Sequence, residues 1–419
     1  MTDPLETSAN DPVARQSAFS SLRHRDFRLL WIGQIVSVTG SQMQQAAINW
    51  HIYVLTRSAL ALGLVGAFRA LPIILCSLMG GVVADVVDRR RLMIVTQTLM
   101  LTCSALLALI TFAGLKHVWP IFLLTAIASA AWAFDTPARQ SLMPMLVPAK
   151  DFPNAVSLSM LMFHIGLISG PPLAGFLLAS HGPGLVYAIN AVSFVAVIVG
   201  LALMHTNGKP EKTETERSEI SFAALVEGLR FVWRTPIIVQ TMTLDFVATF
   251  FASANQLLPI YAKDILDVGA RGYGFLAAAP AVGAIIAGLL MARMGVLRKQ
   301  GVTVIVSVAF YGAATIAFGL SRVFWFSLLM MAATGAADAV STILRQTIRQ
   351  LVTPDNLRGR MTSVNMIFFM GGPQLGEVEA GVTAALIGAP LSVVTGGAAC
   401  VIAAIFAFIR GRSLREYEH

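Results

Sequence analysis

Charged residues are scarce in this chain of 419 residues. Asp, Glu, Lys and Arg together make up 12% of it, whereas 56% of the residues are hydrophobic. The mean hydropathy is +0.73. Soluble domains carry about 25% charged residues. The composition therefore excludes an ordinary soluble globule and indicates that a lipid bilayer is the main solvent of the chain.

Cysteine is also rare, and the sequence shows no metal-binding pattern. Cys76, Cys103 and Cys400 each lie within an apolar run, without the short Cys or His spacing of a zinc or haem site. The stretch 1–22 is polar and lacks the basic start and apolar core of a secretory signal. We therefore argue for no disulfide and no metal, and we interpret 1–28 as a cytosolic N-terminal tail.

Hydrophobic stretches long enough to cross a bilayer recur along the chain. About 20 apolar residues in helical form span the hydrocarbon core. The twelve helices predicted on this basis are 29–55, 59–84, 92–114, 120–143, 154–180, 185–205, 236–262, 272–293, 302–320, 324–345, 361–387 and 390–409. They form an N-terminal six-helix bundle (29–205) and a C-terminal one (236–409), followed by a cytosolic tail at 410–419.

The segment 206–235 interrupts the hydrophobic pattern and divides the chain into two halves. It opens with Asn-Gly-Lys-Pro and continues as a mixture of Glu, Lys and Thr. In its second part Phe222, Leu225, Leu229 and Val232 follow one another at three- or four-residue intervals. This spacing predicts an amphipathic helix on the membrane surface. We interpret the segment as a cytosolic linker that tethers two bundles.

The net charge of +8 is explained by membrane topology rather than by nucleic-acid binding. Lys and Arg residues concentrate in the loops on one side of the predicted bundle, and the positive-inside rule makes this side cytosolic. Both termini then lie in the cytosol. The basic residues of the opposite, external loops are Arg57, Lys116, Lys263, Arg271 and Arg322.

A glycine, an acidic residue and a basic cluster end the second predicted helix. Gly81 is followed four residues later by Asp85, and a run of arginines begins at Arg89. The pattern resembles the helix 2–3 signature of the major facilitator superfamily, with Asp88 where a glycine is usual. The resemblance implies that Gly81, Asp85, Arg89 and Arg90 gate the cytosolic side. Charges that only fix topology are the alternative interpretation.

The fifth predicted helix contains small residues at close intervals, namely Gly166, Gly170, Pro171 and Gly175. Small residues four apart permit close contact between helices, and proline removes a backbone donor and bends the helix. The run resembles the helix-5 motif of the antiporters in the same superfamily, with Ala174 in place of a usual glycine. The resemblance implies antiport, and packing without any bearing on antiport is the alternative.

Three further stretches, 55–63, 135–144 and 353–360, are similar to the drug and siderophore exporters of this superfamily, which include bacterial enterobactin and macrolide efflux proteins. The resemblance covers about residues 20–410. It implies an all-α major facilitator fold, with two six-helix bundles related by a pseudo-twofold axis. It also implies a monomer in the bacterial inner membrane, in contact with lipid, that carries a small-molecule substrate and is driven by the proton gradient without a cofactor.

Carboxylates within predicted helices are the candidate proton-coupling groups, because an ionised side chain at the bilayer centre costs roughly 2.5–3.5 kcal/mol. Asp245 lies near the midplane and is the favoured carrier, with a fixed ion pair to Arg69 as the alternative. Glu377 lies in the outer third, where external gating is a second interpretation. The two others, Asp135 and Asp338, lie in the cytosolic third, and the alternative for either is a bond to a nearby cytosolic arginine such as Arg139 or Arg345.

Polar side chains at membrane depth also predict a substrate cavity. Arg69 and His164 fall near the midplane, and the first predicted helix has a polar density unsuited to facing lipid. Arg69 could hold an anionic substrate, and a neutral histidine bonded within the bundle is the alternative for His164. The cavity candidates are Arg69, His164, Gln42, Gln45, Asn49 and Asn255.

These features together predict proton-coupled export of a small amphiphilic compound by alternating access to one central site. Uptake, or flipping of a lysophospholipid, by the same fold is the alternative transport function. A non-transport membrane protein is the second alternative. An enzyme is not expected, because the sequence contains no paired His/Glu metal motif, nucleophile elbow or phosphate loop.

Overall fold

A computed structural model describes residues 19–209, 222–251, 254–295, 298–354 and 357–417. These residues form twelve long helices and no strand. The helices are α1 Arg25–Thr56, α2 Ala59–Val86, α3 Arg89–Phe112, α4 Trp119–Leu142, α5 Phe152–His181, α6 Pro183–Leu203, α7 Pro236–Phe251, α8 Gly269–Met294, α9 Gln300–Leu320, α10 Phe324–Val352, α11 Arg358–Ile387 and α12 Ala389–Arg410. A linker helix, Phe222–Arg234, precedes α7, and 210–221 in the predicted linker lies outside the described residues.

Within the described part of the chain, ten of these helices are long and apolar enough to cross a membrane by length and composition alone. The other two are α1 and α11. Polar residues lower the hydropathy of α1, but neighbouring helices cover several of them, including Gln34, Asn49 and His51. Helix α1 is 32 residues long, or about 48 Å at 1.5 Å per residue. The predicted all-α membrane fold is therefore confirmed, with α1 lying inside the bundle.

Local capping explains the abrupt turns between helices. Arg57 ends α1 in a left-handed conformation with φ 53°, and its N–H donates to the Tyr53 carbonyl at 2.8 Å. The side chain of Ser58 then accepts from the Ala61 N–H at the start of α2, which satisfies a donor left free by the helix. Because the connection is so short, α1 and α2 run antiparallel.

The two halves repeat the same packing pattern. In the N-terminal half α1 packs on α5 and α6, α2 packs on α4, and α3 packs on α4 and α6. In the C-terminal half α7 packs on α11 and α12, α8 packs on α10, and α9 packs on α10 and α12. The halves meet where α2 packs on α11 and where α5 packs on α8. In each contact the second helix of one half meets the fifth helix of the other half. This is the arrangement of two six-helix bundles related by a pseudo-twofold axis.

The bundle has two distinct ends. The terminal end contains the start of α1, the end of α12, the α2–α3 turn and the linker helix, and the opposite end contains the α1–α2, α5–α6 and α11–α12 turns. At the terminal end, His24 Nε2 lies 2.9 Å from Asp151 Oδ2. This hydrogen bond holds the pKa of the Asp151 carboxyl below its usual value.

Glycines bring α8 and α10 into backbone contact. A Cβ atom added to Gly283 would lie 1.8 Å from the Ala332 carbonyl oxygen, and one added to Gly335 would lie 1.9 Å from the Pro280 carbonyl oxygen. Neither position can accept a side chain without separating the helices. In contrast, a Cβ on Gly288, one and a half turns along α8 from Gly283, would meet no atom within 4 Å.

We therefore expect Gly283→Ala to lower the melting temperature of the purified protein by several degrees, because overpacking costs about 1–3 kcal/mol. Gly288→Ala is the matched control on the same helix and should leave the melting temperature unchanged or slightly raised, since alanine is the better helix former. Thermal unfolding in detergent measures both. Equal melting temperatures for the two variants would contradict the described contact between α8 and α10.

Candidate functional site

Buried amides join the two halves at the end opposite the termini. Asn49 Nδ2 of α1 donates to Gln256 Oε1 at 3.2 Å, and Gln256 Nε2 donates to the Leu62 carbonyl of α2. Gln256 lies in the turn Ala254–Leu257 that follows α7. The Tyr273 hydroxyl of α8 donates to the Ala46 carbonyl at 3.1 Å. We call this end the closed end.

A second group of contacts lies further out at the closed end. Arg57 Nη1 is 2.9 Å from Asp264 Oδ1, and the Tyr53 hydroxyl donates to the other oxygen of the same carboxylate. Asp264 belongs to a π-helical turn, Tyr261–Ile265, which continues the predicted seventh span. Trp50 stacks on Tyr273 with ring centroids 5.5 Å apart.

An ion pair joins α2 to α11 across the two halves. Arg69 Nη1 lies 3.6 Å from Glu377 Oε1. Glycine permits this approach, because a Cβ on Gly66 would lie only 2.7 Å from the Glu377 Cβ. Arg69 therefore pairs with Glu377 and not with Asp245, which corrects the partner considered from the sequence. Glu379 instead accepts from Thr383 Oγ1 of its own helix at 2.8 Å.

A cavity of about 450 Å³ lies between α1, α4 and α5 in the terminal half of the bundle. Its wall is largely apolar and aromatic, with Arg139, Ser159, His164 and two glutamines as the polar groups. The lining residues are Phe27, Leu30, Trp31, Gln34, Val38, Arg139, Gln140, Met143, Phe152, Val156, Ser159, Met160, Met162, Phe163 and His164. An apolar wall with few polar groups suits an amphiphilic ligand.

The other predicted cavity residues occupy different places in this conformation. Asn49 belongs to the closed end, and Gln45 Nε2 lies 3.5 Å from Asn49 Oδ1. Gln42 packs on α5, where a Cβ on Gly170 would lie 2.6 Å from the Gln42 Cβ. Asn255 is exposed. Of the six candidates, His164 alone is among the described residues that line the cavity.

The predicted gating residues contact their own half. Arg89 Nη1 donates to the Ser141 carbonyl at 3.1 Å, and Arg90 Nη2 donates to the Ala202 carbonyl at 2.8 Å. Asp88 caps α3 by accepting from the backbone N–H groups of Arg90 and of the next residue. A Cβ on Gly81 would meet no atom within 4 Å, so no other helix approaches it closely here. The side chain of Asp85 lies outside the described residues.

The small residues of α5 make two kinds of close contact. Gly166 and Gly170 pack on α1 of the same half. Gly175 packs on α8 of the other half, because its Cβ would lie 2.6 Å from the Ala270 carbonyl oxygen. A Cβ added to Gly274 of α8 would lie 2.4 Å from the Pro171 carbonyl oxygen of α5. The motif therefore connects α5 to α1 and joins the two halves.

Two buried arginines and two aspartates form a cluster in the C-terminal half. Arg345 Nη2 of α10 lies 2.7 Å from Asp245 Oδ1 of α7 and 3.8 Å from Asp338 Oδ1. Arg349 Nη1 lies 3.9 Å from the second oxygen of Asp245 and also donates to the side chain of Asn365. The sequence named both aspartates as candidates, but it gave Arg345 only as a partner of Asp338 and missed Arg349.

An equivalent arginine lies in the N-terminal half. Arg139 Nη1 of α4 donates to Gln34 Oε1 of α1 at 3.0 Å, and its Nε lies 4.0 Å from Asp135 Oδ2. Asp135 is itself held by Thr96 and Gln97 of α3, at 3.0 and 2.9 Å. An Arg-Gln pair begins at Arg139 and at Arg345, and each is followed by a proline at the same nine-residue spacing, Pro148 and Pro354. This repeat was a sequence signal for the equivalence.

The architecture is that of a membrane transporter built from two pseudo-symmetric halves. The family model described as "Transmembrane secretion effector", of the major facilitator superfamily, matches residues 16–419. The chain belongs to this family. It is therefore a multi-pass membrane transporter that handles a small-molecule substrate, and it is not an enzyme. The predicted membership of the major facilitator superfamily is confirmed.

Curated relatives extend the comparison. The chain is 25% identical to the multidrug efflux pump Tap of Mycolicibacterium fortuitum, over 84% of this chain and 88% of that protein. It is 24% identical to the enterobactin exporter EntS of Salmonella choleraesuis, over 94% of each chain. Among solved structures, a bacterial homologue of the human lysosomal transporter Spinster has a TM-score of 0.73 at 15% identity, covering 93% of this chain and 97% of that one.

We expect Asp245→Ala to destabilise the protein strongly, by about 3–5 kcal/mol, because it leaves two buried cations without their closest carboxylate. Thermal unfolding in detergent measures the loss. Asp267→Asn is the matched control: Asp267 has a left-handed backbone with φ 51°, which asparagine also adopts. A melting temperature for Asp245→Ala equal to that of the control would contradict the described ion pairs.

Proposed function

We propose that this protein exports a small amphiphilic compound in exchange for protons, by alternating access across the bacterial inner membrane. The observation that carries the proposal is that the contacts between the two halves and the cavity lie toward opposite ends of the bundle. The described cross-half hydrogen bonds gather at the closed end, whereas the cavity lies in the terminal half. A central site that opens to one side while the other side is sealed is the requirement for alternating access.

The distribution of basic residues supports the orientation. The terminal end has the arginine run after α2 and the basic residues near Arg298 and Arg412, and cytosolic loops are enriched in Lys and Arg. With the terminal end in the cytosol, the described conformation is inward-facing. The cavity then receives its substrate from the cytosol, as an exporter requires.

The cavity chemistry and the named relatives support the substrate class. Trp31, Phe152 and Phe163 offer apolar surface, while Arg139 and His164 offer hydrogen-bond donors. Relatives of similar length are named as a multidrug efflux pump and as enterobactin exporters. We therefore propose a drug or a siderophore as the substrate.

Proton coupling rests on the carboxylates that lie at membrane depth beside exchangeable partners. Glu377 bridges the two halves through Arg69, and the Asp245–Asp338 cluster lies between α7 and α10. Charge–charge contacts at this depth require a reason, because they are costly to bury. A carboxylate that changes partner or protonation as the halves rock would link proton entry to substrate exit.

A transport assay tests the proposal. A strain that lacks the gene is screened for growth and accumulation with ethidium, tetracycline and enterobactin, and any compound that accumulates is then studied in proteoliposomes. We expect uphill movement of that compound when a pH gradient is imposed and no uphill movement without the gradient. Accumulation that is unchanged for all three compounds, or transport that ignores the pH gradient, would reject proton-coupled export of these substrates.

We further expect that the closed end must open during each cycle. Cysteines placed at Arg57 and Asp264, in a chain whose three native cysteines are replaced by alanine, should be joined by a short bifunctional thiol reagent, because their side chains meet across the halves. When the reagent contains a cleavable spacer, cross-linking should abolish transport and cleavage of the spacer should restore it. The two single-cysteine variants are the controls, and normal transport by the cross-linked protein would show that this end does not open.

A further inference from the structure

Asp338 occupies a distinctive place in the cluster of buried charges. It is the central residue of the 29-residue helix α10, because the helix continues to Val352, beyond the predicted end at 345. Asp338, Thr342, Arg345 and Arg349 follow one another at steps of four, three and four residues, so they share one face of the helix. Asp338 therefore lies at the middle of the helix, and its depth in the cytosolic third of the membrane stays a prediction.

The two aspartates differ in exposure. The side chain of Asp245 is 9% exposed and that of Arg345 is 1% exposed, whereas the side chain of Asp338 is 51% exposed. Asp338 shares a helix face with the two buried arginines, but about half of its side chain is open. It is therefore the more accessible carboxylate of the cluster.

They differ also in the cost of losing their charge. Asp245 lies between Arg345 at 2.7 Å and Arg349 at 3.9 Å, so neutralising it would leave two buried cations without a close carboxylate. Asp338 lies 3.8 Å from Arg345 and 3.5 Å from the Thr342 hydroxyl. Neutralising Asp338 leaves Arg345 in contact with Asp245. Asp338 is therefore the aspartate that can lose its charge at the lower cost.

The two halves differ at both aspartates of this cluster. In the N-terminal half, Arg139 has one buried carboxylate, Asp135, whose side chain is 2% exposed. When Arg139 is aligned with Arg345 through the shared proline spacing, the residue opposite Asp338 is Trp132. By the same alignment Asp135 corresponds to Ser341, and Gln34 takes the place of Asp245 as the partner on the first helix of the half. Both aspartates of the cluster therefore belong to the C-terminal half alone.

Few other titratable groups surround Asp338. Asp245 of α7 and Arg345 of its own helix act on it, and Tyr311 of α9 is within electrostatic range. Helix α11 has no titratable side chain between Met361 and Gly376, and α8 has none between Gly274 and Met291. Asp338 is therefore the group in these surroundings that can gain or lose a proton while the two arginines keep a carboxylate partner.

We infer that Asp338 is the carboxylate that exchanges a proton for substrate, and that Asp245 is the fixed counter-ion that keeps the arginines buried. The inference rests on the proposed proton-coupled export. In the inward-facing state the O–H bond of protonated Asp338 breaks and its proton passes to cytosolic water. A cationic or hydrogen-bond-donating group of the substrate then takes the place of the proton at the carboxylate.

Infrared difference spectroscopy of the purified protein tests the inference without any substrate. The probe is the proton itself, followed through the C=O stretch of protonated carboxyl groups while the pH is varied. We expect a band that titrates in the wild-type protein and is absent in Asp338→Asn. Asp135→Asn, Glu377→Gln and the surface control Asp267→Asn should keep it. A missing band in the wild type, or a band that Asp338→Asn retains, would overturn the inference.

Transport driven by an imposed pH gradient is the second measurement. We expect Asp338→Asn to fall to the level of vesicles without protein, while Asp267→Asn matches the wild type. Should the wild type itself show no gradient-driven transport, the proposed export fails, but the infrared assignment stands or falls by its own result. Gradient-driven transport by Asp338→Asn at the wild-type rate would overturn the inference while leaving proton-coupled export intact.

Discussion

The need to satisfy polar groups inside a membrane protein governs most of the described contacts. A side chain such as Arg345, which is 1% exposed, cannot use water as a partner, so its position is fixed by carboxylates on two helices. The same constraint fixes Gln256 between Asn49 and a carbonyl of α2. Polar groups therefore determine which helices meet, and apolar side chains fill the space around them.

The internal repeat shows where this constraint is met in two different ways. Both halves place an arginine on the equivalent helix, but its partner on the first helix of the half is the amide of Gln34 in one case and the carboxyl group of Asp245 in the other. A second arginine, Arg349, stands where the N-terminal half has Met143. The C-terminal half thus contains the larger group of charges, and Asp338 is the more exposed carboxylate of that group.

Hydropathy was sufficient to predict the fold, because a spanning helix needs only length and apolar composition. Most of the long helices lie within a few residues of their predicted spans. The largest difference is at α7, which ends at Phe251, eleven residues before the predicted end at 262, and the chain continues there through the turns Ala254–Leu257 and Tyr261–Ile265. At α10, Arg349 and other polar residues hid seven further residues of helix from a hydropathy argument. The linker helix was predicted from its periodicity, and it begins at Phe222.

The site was less predictable, since it depends on partners far apart in the sequence. Depth alone suggested that Arg69 and Asp245 could pair, but Arg69 reaches Glu377 because Gly66 lets α11 approach. Likewise, Asp135 and Asp338 have the partners expected from helical spacing, Arg139 and Arg345, whereas the contact of Arg345 with α7 has no local signal. The one sequence signal was the Arg-Gln pair followed by a proline at the same spacing in both halves, which marks Arg139 and Arg345 as equivalent.

The closed end joins large helices through contacts that are individually weak. A hydrogen bond such as that of Asn49 with Gln256 contributes about 0.5–1.5 kcal/mol, and an exposed ion pair such as that of Arg57 with Asp264 contributes less. Their sum is of the size that separates two populated conformations of one protein. The glycine contacts at Gly175 and Gly274 add close packing without long side chains that would have to be withdrawn. In the proposed transport cycle, a seal of this kind would open when one buried charge changes its partner. That change would link the carboxylates within the helices to the proposed movement of the halves.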